Sequence, residues 1–183
     1  MYQPLPLAFA NLAHEPGPKI LLAALADHGL RELPGAANSP RILEMAFQAH
    51  AGSYYKSDAT PWCALAMTSW VLTAGFVPPR DPLAAKSWAT FGTPVALEDA
   101  ALGDILVMER PGGNHVTMYA GEDDHNYYGL GGNQGDCVCI APFLKARITH
   151  VRRCAWKVAQ PTNIGKRFPG LVVAGVAAKL KEY

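Results

Sequence analysis

One cysteine stands at the start of an apolar helical pattern, and this feature constrains the chain more than any other. Thr60 is a suitable helix cap, and Pro61 suits a first helical turn, where a missing N–H costs nothing. Apolar residues then recur at helical spacing until Gly75 ends the run. The pattern predicts a helix with Cys63 in its first turn.

A cysteine in that position has two chemical advantages. The free N–H groups at a helix start stabilise negative charge, so we expect a lowered pKa for the Cys63 thiol. The same N–H groups would serve as part of an oxyanion hole when a carbonyl is attacked. On this residue alone the alternative stays open, because free cysteines are among the most buried residue types and often only fill the core.

Bulk properties narrow the class of protein. The chain has 183 residues, enough for one domain with a sizeable core. A net charge of +1 with 17% charged residues argues against a nucleic-acid partner. No apolar run reaches the ~20 residues of a membrane span, so we expect no stable membrane insertion. Nothing resembles a secretory signal, so we expect a protein that is cytoplasmic when synthesised.

The cysteines do not suggest a disulfide framework or a metal centre. There are four of them in a chain of this length without a signal. Cys137 and Cys139 alternate on a predicted strand, so their thiols point to one face. No second pair stands at metal spacing. We therefore expect neither a metal nor another cofactor.

The order of predicted elements indicates an α+β fold. Residues 1–18 look like a loosely structured lead-in, residues 19–158 form the domain, and residues 159–183 are a tail with a short apolar helix from Leu171 to Leu180. Within the domain, helices come first and a run of five strands follows. This order predicts an antiparallel sheet with the Cys63 helix packed on it.

Cysteine catalysis needs a base near the thiol and a polar group that orients the base. His115 begins a predicted strand after a Gly-Gly turn, a setting that no other histidine shares. Asn133 follows the neighbouring strand and is the preferred orienting residue, with Gln134 in reserve. The structural alternatives are an ordinary strand-edge histidine and a turn asparagine that tolerates positive φ.

Several short motifs, in this order, resemble one known family. They are Asp58–Ala64, Ala85–Trp88, Gly103–Val107, Asn114–Val116 and Leu130–Gln134. Together they look like the small papain-like cell-wall hydrolases related to CHAP and NlpC-type peptidases, most of all a subgroup common in phage and prophage lysis proteins. The resemblance covers about Ile20 to Trp156.

The resemblance implies a papain-like fold and a Cys-His-polar triad without a metal. Such a triad cleaves an amide bond in the peptide part of peptidoglycan through a thioester. Cys63 would be the nucleophile, His115 the base and later the acid, and Asn133 the orienting residue. The chain departs from the family where Asn114 replaces the usual glycine before the histidine, and where the third position is an amide.

Other residues near these motifs are assigned to secondary or substrate-groove positions. They are Gln134, Trp62, Asp58, Tyr55 and Trp88. The Tyr55 hydroxyl is a candidate oxyanion donor, with packing against the helix end as the alternative. Trp88 either packs in the core or lines a groove.

The expected partner is peptidoglycan, reached through a holin, a phage particle or a secretion apparatus. Three other functions stay open. The first is an antibacterial effector with the same chemistry, and the second is a non-catalytic part of a phage particle. The third is a cysteine hydrolase that acts on a different amide or acyl substrate.

Overall fold

Three α-helices precede a single sheet in the computed structural model, which describes residues 2–156 and 164–167. The helices are α1 (Lys19–Ala26), α2 (Pro40–Gln48) and α3 (Cys63–Thr73). None of the helices within the described residues is long and apolar enough to cross a membrane. The apolar tail helix expected from Leu171 to Leu180 lies outside these residues.

Six strands form one antiparallel sheet. They are β1 (Thr93–Val95), β2 (Ile105–Arg110), β3 (Gly113–Glu122), β4 (Asn126–Gly131), β5 (Cys139–Leu144) and β6 (Ile148–Arg153). Their order across the sheet is β1-β6-β2-β3-β4-β5. The sequence analysis missed β1, because three residues that include Pro94 show no alternation, and this strand is defined by its pairing with β6.

Helix α3 is the centre of the molecule. Every residue from Cys63 to Val71 is buried, because α1 and α2 cover one side of the helix and β3 and β4 cover another. A helix that is apolar all round is expected in such a place. The predicted α+β arrangement, with the cysteine helix packed on an antiparallel sheet, is confirmed.

The start of α3 differs from the prediction by two residues. Trp62 occupies the N-cap position and no side chain caps the helix. The Thr60 carbonyl instead accepts a hydrogen bond from the Tyr55 hydroxyl, at 2.6 Å. Tertiary packing of the fully buried Trp62 side chain, and not a local cap, therefore sets where the helix begins.

The lead-in is ordered against the core, contrary to the expectation of a loose segment. Residues Leu7–Ala13 form a 3-10 helix that buries Phe9 and Leu12. The centroid of the Phe9 ring lies 5.5 Å from the centroid of the Tyr128 ring on β4. This segment is held by apolar contacts with residues that are distant in sequence. Its irregular local pattern therefore did not predict an ordered helix.

Candidate active site

The Cys63 sulfur lies at the junction of α3 and β3. The residue is 5% exposed, and the backbone N–H groups of Val116, Ala64 and Cys63 itself favour the ionised form of the thiol. Burial raises the pKa of the thiol, while these N–H groups and the positive charge of Arg110 oppose the rise. The net direction is upward, so the expectation of a lowered pKa is wrong for the free protein, and the resting group is a neutral thiol.

His115 is held by Gln134. Its Nε2 lies 3.0 Å from the Gln134 side-chain oxygen. The Gln134 amide nitrogen donates to the carbonyl oxygens of Gly129, at 3.0 Å, and Cys139, at 2.6 Å. Because both amide protons are engaged, the side-chain oxygen of Gln134 faces His115 as an acceptor. His115 therefore carries its proton on Nε2.

The other ring nitrogen of His115 is available as a base. Within the described part of the chain, Nδ1 is buried and has no hydrogen-bond partner. Burial lowers the pKa of His115 to about 4, the bond to Gln134 opposes this shift, and the positive charge of Arg110 adds to it. The imidazole is neutral near pH 7, with its lone pair on Nδ1.

Cys63 and His115 both lie near the first part of β3. The sulfur of Cys63 lies near the N–H of Val116, the residue that follows His115. Pairing of β3 with β4 begins only at Met118, so the first part of β3 has an edge that β4 does not cover. The start of α3 lies against β3, so Cys63 lies beside the strand that carries His115.

Two glycines at the end of β4 allow α3 and Gln134 to approach closely. A Cβ on Gly132 would lie 2.7 Å from a ring carbon of Trp62 and 2.8 Å from the Cβ of Ala66. A Cβ on Gly131 would lie 2.5 Å from the side-chain oxygen of Gln134. Only glycine fits at both positions without a shift of its neighbours. Gly132 therefore leaves room for α3, and Gly131 leaves room for the Gln134 side chain that contacts His115.

Asn133 lies in the same turn but does not contact His115. Its side-chain oxygen accepts the Trp62 N–H, at 3.4 Å, and its amide nitrogen donates to Glu32, at 3.0 Å. Its φ is 57°, a left-handed conformation that asparagine tolerates. The structure thus pairs His115 with Gln134, the reserve residue, and it places the preferred Asn133 at the start of α3 instead.

The two tryptophans expected near a groove are core residues. Trp62 and Trp88 are both fully buried. The Trp88 indole N–H donates to the Pro82 carbonyl, at 3.1 Å, and its ring packs 5.3 Å from that of Phe91. For Trp88 the structure favours core packing, the alternative that the sequence left open, and Trp62 is buried at the start of α3.

Asp58 and Tyr55 hold loops together. The Asp58 carboxylate is buried and accepts the backbone N–H groups of Leu33, at 3.0 Å, and Ser39, at 2.7 Å. The Tyr55 hydroxyl donates to the Thr60 carbonyl, so it is not directed at a developing oxyanion. The first bonds fix the loop before α2, and the second fixes the loop before α3.

Two charged residues near the site were missed by the sequence analysis. Glu32 accepts the indole N–H of Trp62, at 2.6 Å, as well as the Asn133 amide. Burial raises its pKa, and the two hydrogen bonds partly offset this rise. No local signal marked Glu32, which lies in a turn-rich loop. Arg110 could have been suspected, since it ends the strand directly before the turn that leads to His115.

The donor set does not suggest a metal centre. Within residues 2–156 and 164–167, no three side chains of His, Cys, Asp or Glu come together as a metal site would require. The chemistry of the site therefore has to be argued from its thiol, imidazole and amide groups.

Comparison with known proteins adds a distant likeness in fold. No protein-family model matches the sequence, and a search of curated proteins gives no match. Among solved structures, the chain is similar to the P60 domain of an antigen from M. avium paratuberculosis. Identity is 14% and the TM-score is 0.47, over 81% of this chain and 97% of the other. This likeness is too distant to assign a function, which has to come from the side chains described above.

Proposed function

We propose that the chain is a cysteine hydrolase that cleaves an amide bond in the peptide part of peptidoglycan. The observation that carries the proposal is the state of His115. Its Nε2–H is donated to Gln134, which leaves a buried, unprotonated Nδ1 beside the strand edge where the Cys63 sulfur lies. A neutral imidazole held in one tautomer next to a thiol is the arrangement that base-assisted nucleophilic catalysis requires.

The first half of the reaction forms a thioester. Nδ1 of His115 takes the proton of the Cys63 thiol as the sulfur attacks the carbonyl carbon of the amide. The N–H groups at the start of α3 that surround the sulfur favour the negative charge that develops there and on the carbonyl oxygen. His115 then gives the proton to the departing amine, and the acyl group remains on Cys63.

The second half releases the acid. His115 takes a proton from water, the resulting hydroxide attacks the thioester, and the thiol recovers its proton from His115. Gln134 accepts the Nε2–H throughout, so the ring stays in the tautomer that exposes Nδ1. The Gln134 side chain carries no charge, so the imidazolium gains only a hydrogen bond from it.

Peptidoglycan as the substrate rests on the motif resemblance in the sequence. The resemblance includes the motifs around Cys63 and His115 and the Leu130–Gln134 segment, and the hydrogen bond between His115 and Gln134 joins two of these motifs. The proposal includes action at the cell wall after release or delivery, in the manner of a phage lysis protein.

The test is release of free amines from purified peptidoglycan, followed by mass spectrometry of the fragments. We expect release by the wild type and none above background by the Cys63→Ala variant. Cys154→Ala is the matched control, because it removes a half-buried thiol directly after β6, outside the site. Thermal unfolding of each variant checks that the fold is kept.

Two results would contradict the proposal. One is amine release by Cys63→Ala at the wild-type rate, which would exclude the thiol mechanism. The other is cell-wall binding without amine release by the wild type under reducing conditions, which would favour a non-catalytic part of a phage particle. Turnover of a different amide would keep the mechanism and replace the substrate.

A further inference from the structure

Two cysteines outside the candidate triad converge on one carbonyl group. The thiols of Cys137 and Cys139 both donate to the main-chain oxygen of Gln134, each at 3.3 Å. Because both sulfurs contact the same oxygen atom, the distance between them cannot exceed the sum of these two contact distances. The Cys137 side chain is 6% exposed, and Cys139 is partly exposed at the start of the edge strand β5.

The backbone changes pairing partner between these two cysteines. Cys137 forms an isolated bridge with Arg31, and the next residue, Val138, bonds in both directions with the segment around Leu30. Cys139 pairs with Gly131 of β4. Residues two apart in an extended chain span roughly 7 Å, near the upper limit for the Cα atoms of a disulfide. A disulfide between them would therefore require only a small bend of the chain, and the change of pairing partner is the place where such a bend would fall.

The electrostatic setting favours thiolate formation at one member of the pair. The Cys139 thiol can turn from the Gln134 carbonyl to donate to an ionised Cys137 sulfur, and this hydrogen bond is the largest cause that lowers the pKa of Cys137, to about 7. The positive charge of Arg31 acts in the same direction. Burial and the charge of Asp136 oppose the shift. The thiolate is the reactive form in disulfide exchange.

We propose that Cys137 and Cys139 are a reversible dithiol–disulfide pair, a modification site that adjoins the His115–Gln134 contact. The oxidant is a small-molecule disulfide such as oxidised glutathione. One protein thiolate attacks a sulfur of the oxidant, breaks its S–S bond and expels one glutathione thiolate, which takes up a proton. The second protein thiol gives up its proton, attacks the mixed disulfide and expels the second glutathione. Two protein S–H groups are oxidised, and one disulfide is reduced to two thiols.

Oxidation would reach the proposed catalytic base through Gln134. The disulfide removes both S–H donors from the Gln134 carbonyl. It also pulls on Cys139, whose own carbonyl accepts the Gln134 amide at 2.6 Å. Because the Gln134 side chain holds the His115 ring, we expect oxidation to lower the rate of amide hydrolysis. This last step rests on the proposed function, while formation of the disulfide does not.

The covalent part is tested on the full chain carrying Cys63→Ala, so that Cys154 is the one remaining cysteine outside the pair. The reduced protein is incubated with oxidised glutathione and then with iodoacetamide, and it is analysed by mass spectrometry. Before alkylation, we expect the oxidised protein to have a mass lower than that of the reduced protein by two hydrogens. After alkylation, we expect two fewer modified cysteines and a cross-link between Cys137 and Cys139 that dithiothreitol reverses. Full alkylation of both residues after oxidation, or stable glutathione adducts without a cross-link, would overturn the proposal.

The activity part compares the chain with Cys63 intact against a Cys137→Ser, Cys139→Ser double variant. Oxidised glutathione is expected to reduce amine release in the first and to have a smaller effect in the second, with recovery on reduction. An equal loss in both would attribute inhibition to Cys63 and overturn the link to Gln134. If the cross-link forms in a protein that never hydrolyses peptidoglycan, the proposed function fails and the dithiol pair stands. If hydrolysis occurs and no cross-link forms, the proposed function stands and the dithiol pair fails.

Discussion

An amide side chain can orient a histidine only if its oxygen, and not its nitrogen, faces the ring N–H. In Gln134 this choice is made by two carbonyl groups that take both amide protons. In Asn133 the oxygen accepts the Trp62 N–H and the nitrogen donates to Glu32. The Gln134 amide thus holds the imidazole of His115, and the Asn133 amide holds the start of α3.

Gln134→Ala is expected to lower kcat with little change in KM. The Nε2–H of His115 would lose its buried acceptor and the ring its fixed tautomer, which costs about 1 to 3 kcal/mol, or roughly a 5- to 150-fold loss of rate. The measurement is the steady-state rate of amine release. Asn133→Gly is the matched control, since glycine accepts the φ of 57° and removes only the side chain. A larger rate loss in Asn133→Gly than in Gln134→Ala would return the orienting role to Asn133.

At the scale of elements, one carboxylate connects all three helices. Asp27 follows α1 and is 4% exposed. It accepts two hydrogen bonds from Arg41 on α2, both at 3.0 Å, and one from the indole N–H of Trp70 on α3, at 2.9 Å. Since α3 carries Cys63, this carboxylate contributes to the placement of the nucleophile.

Asp27→Asn is expected to lower the free energy of unfolding by about 2 kcal/mol. This is less than the roughly 3 to 5 kcal/mol lost when a fully buried ion pair is broken, because the Arg41 side chain is 22% exposed. Urea unfolding measures the change. Glu44→Gln is the matched control: it removes an ion pair with the same arginine, but the Glu44 side chain is 57% exposed, so we expect less than about 1 kcal/mol. Equal effects of the two substitutions would rule out a special role for Asp27.

Elements with a strong local period were predictable, and those held by distant contacts were not. Helix α3 and the β2–β3 hairpin follow apolar patterns and turn glycines that the sequence shows directly. The 3-10 helix at residues 7–13 depends on Phe9 meeting Tyr128. The choice between Asn133 and Gln134 depends on which main-chain groups surround them. Cys63 and His115 could be proposed from the sequence because their settings are local, whereas the orientation of Gln134 depends on the carbonyls of Gly129 and Cys139.

At the scale of the whole molecule, the buried neutral state of His115 makes stability depend on pH. The pKa of this residue is about 4 in the folded chain, against an ordinary value of 6.5, with burial as the main cause. Between these values an unfolded chain binds a proton at His115 and the folded chain does not. The unfolded state is therefore favoured as pH falls through this window.

The corresponding prediction concerns the difference in stability between wild type and His115→Gln. We expect the wild type to lose up to about 3 kcal/mol more than the variant as pH falls from about 6.5 to about 4, because the variant has no proton to bind at this position. Urea unfolding at several pH values measures the slope for each protein. The comparison between the two proteins cancels the pH dependence that other groups contribute to stability. One such group is Asp104, whose pKa is raised by burial, so it acts in the opposite direction.

The control is His125→Gln. Because His125 lies in an exposed turn, this variant is expected to retain the wild-type slope. If His115→Gln retained that slope as well, His115 would bind protons equally in the folded and unfolded chains, and burial would not lower its pKa.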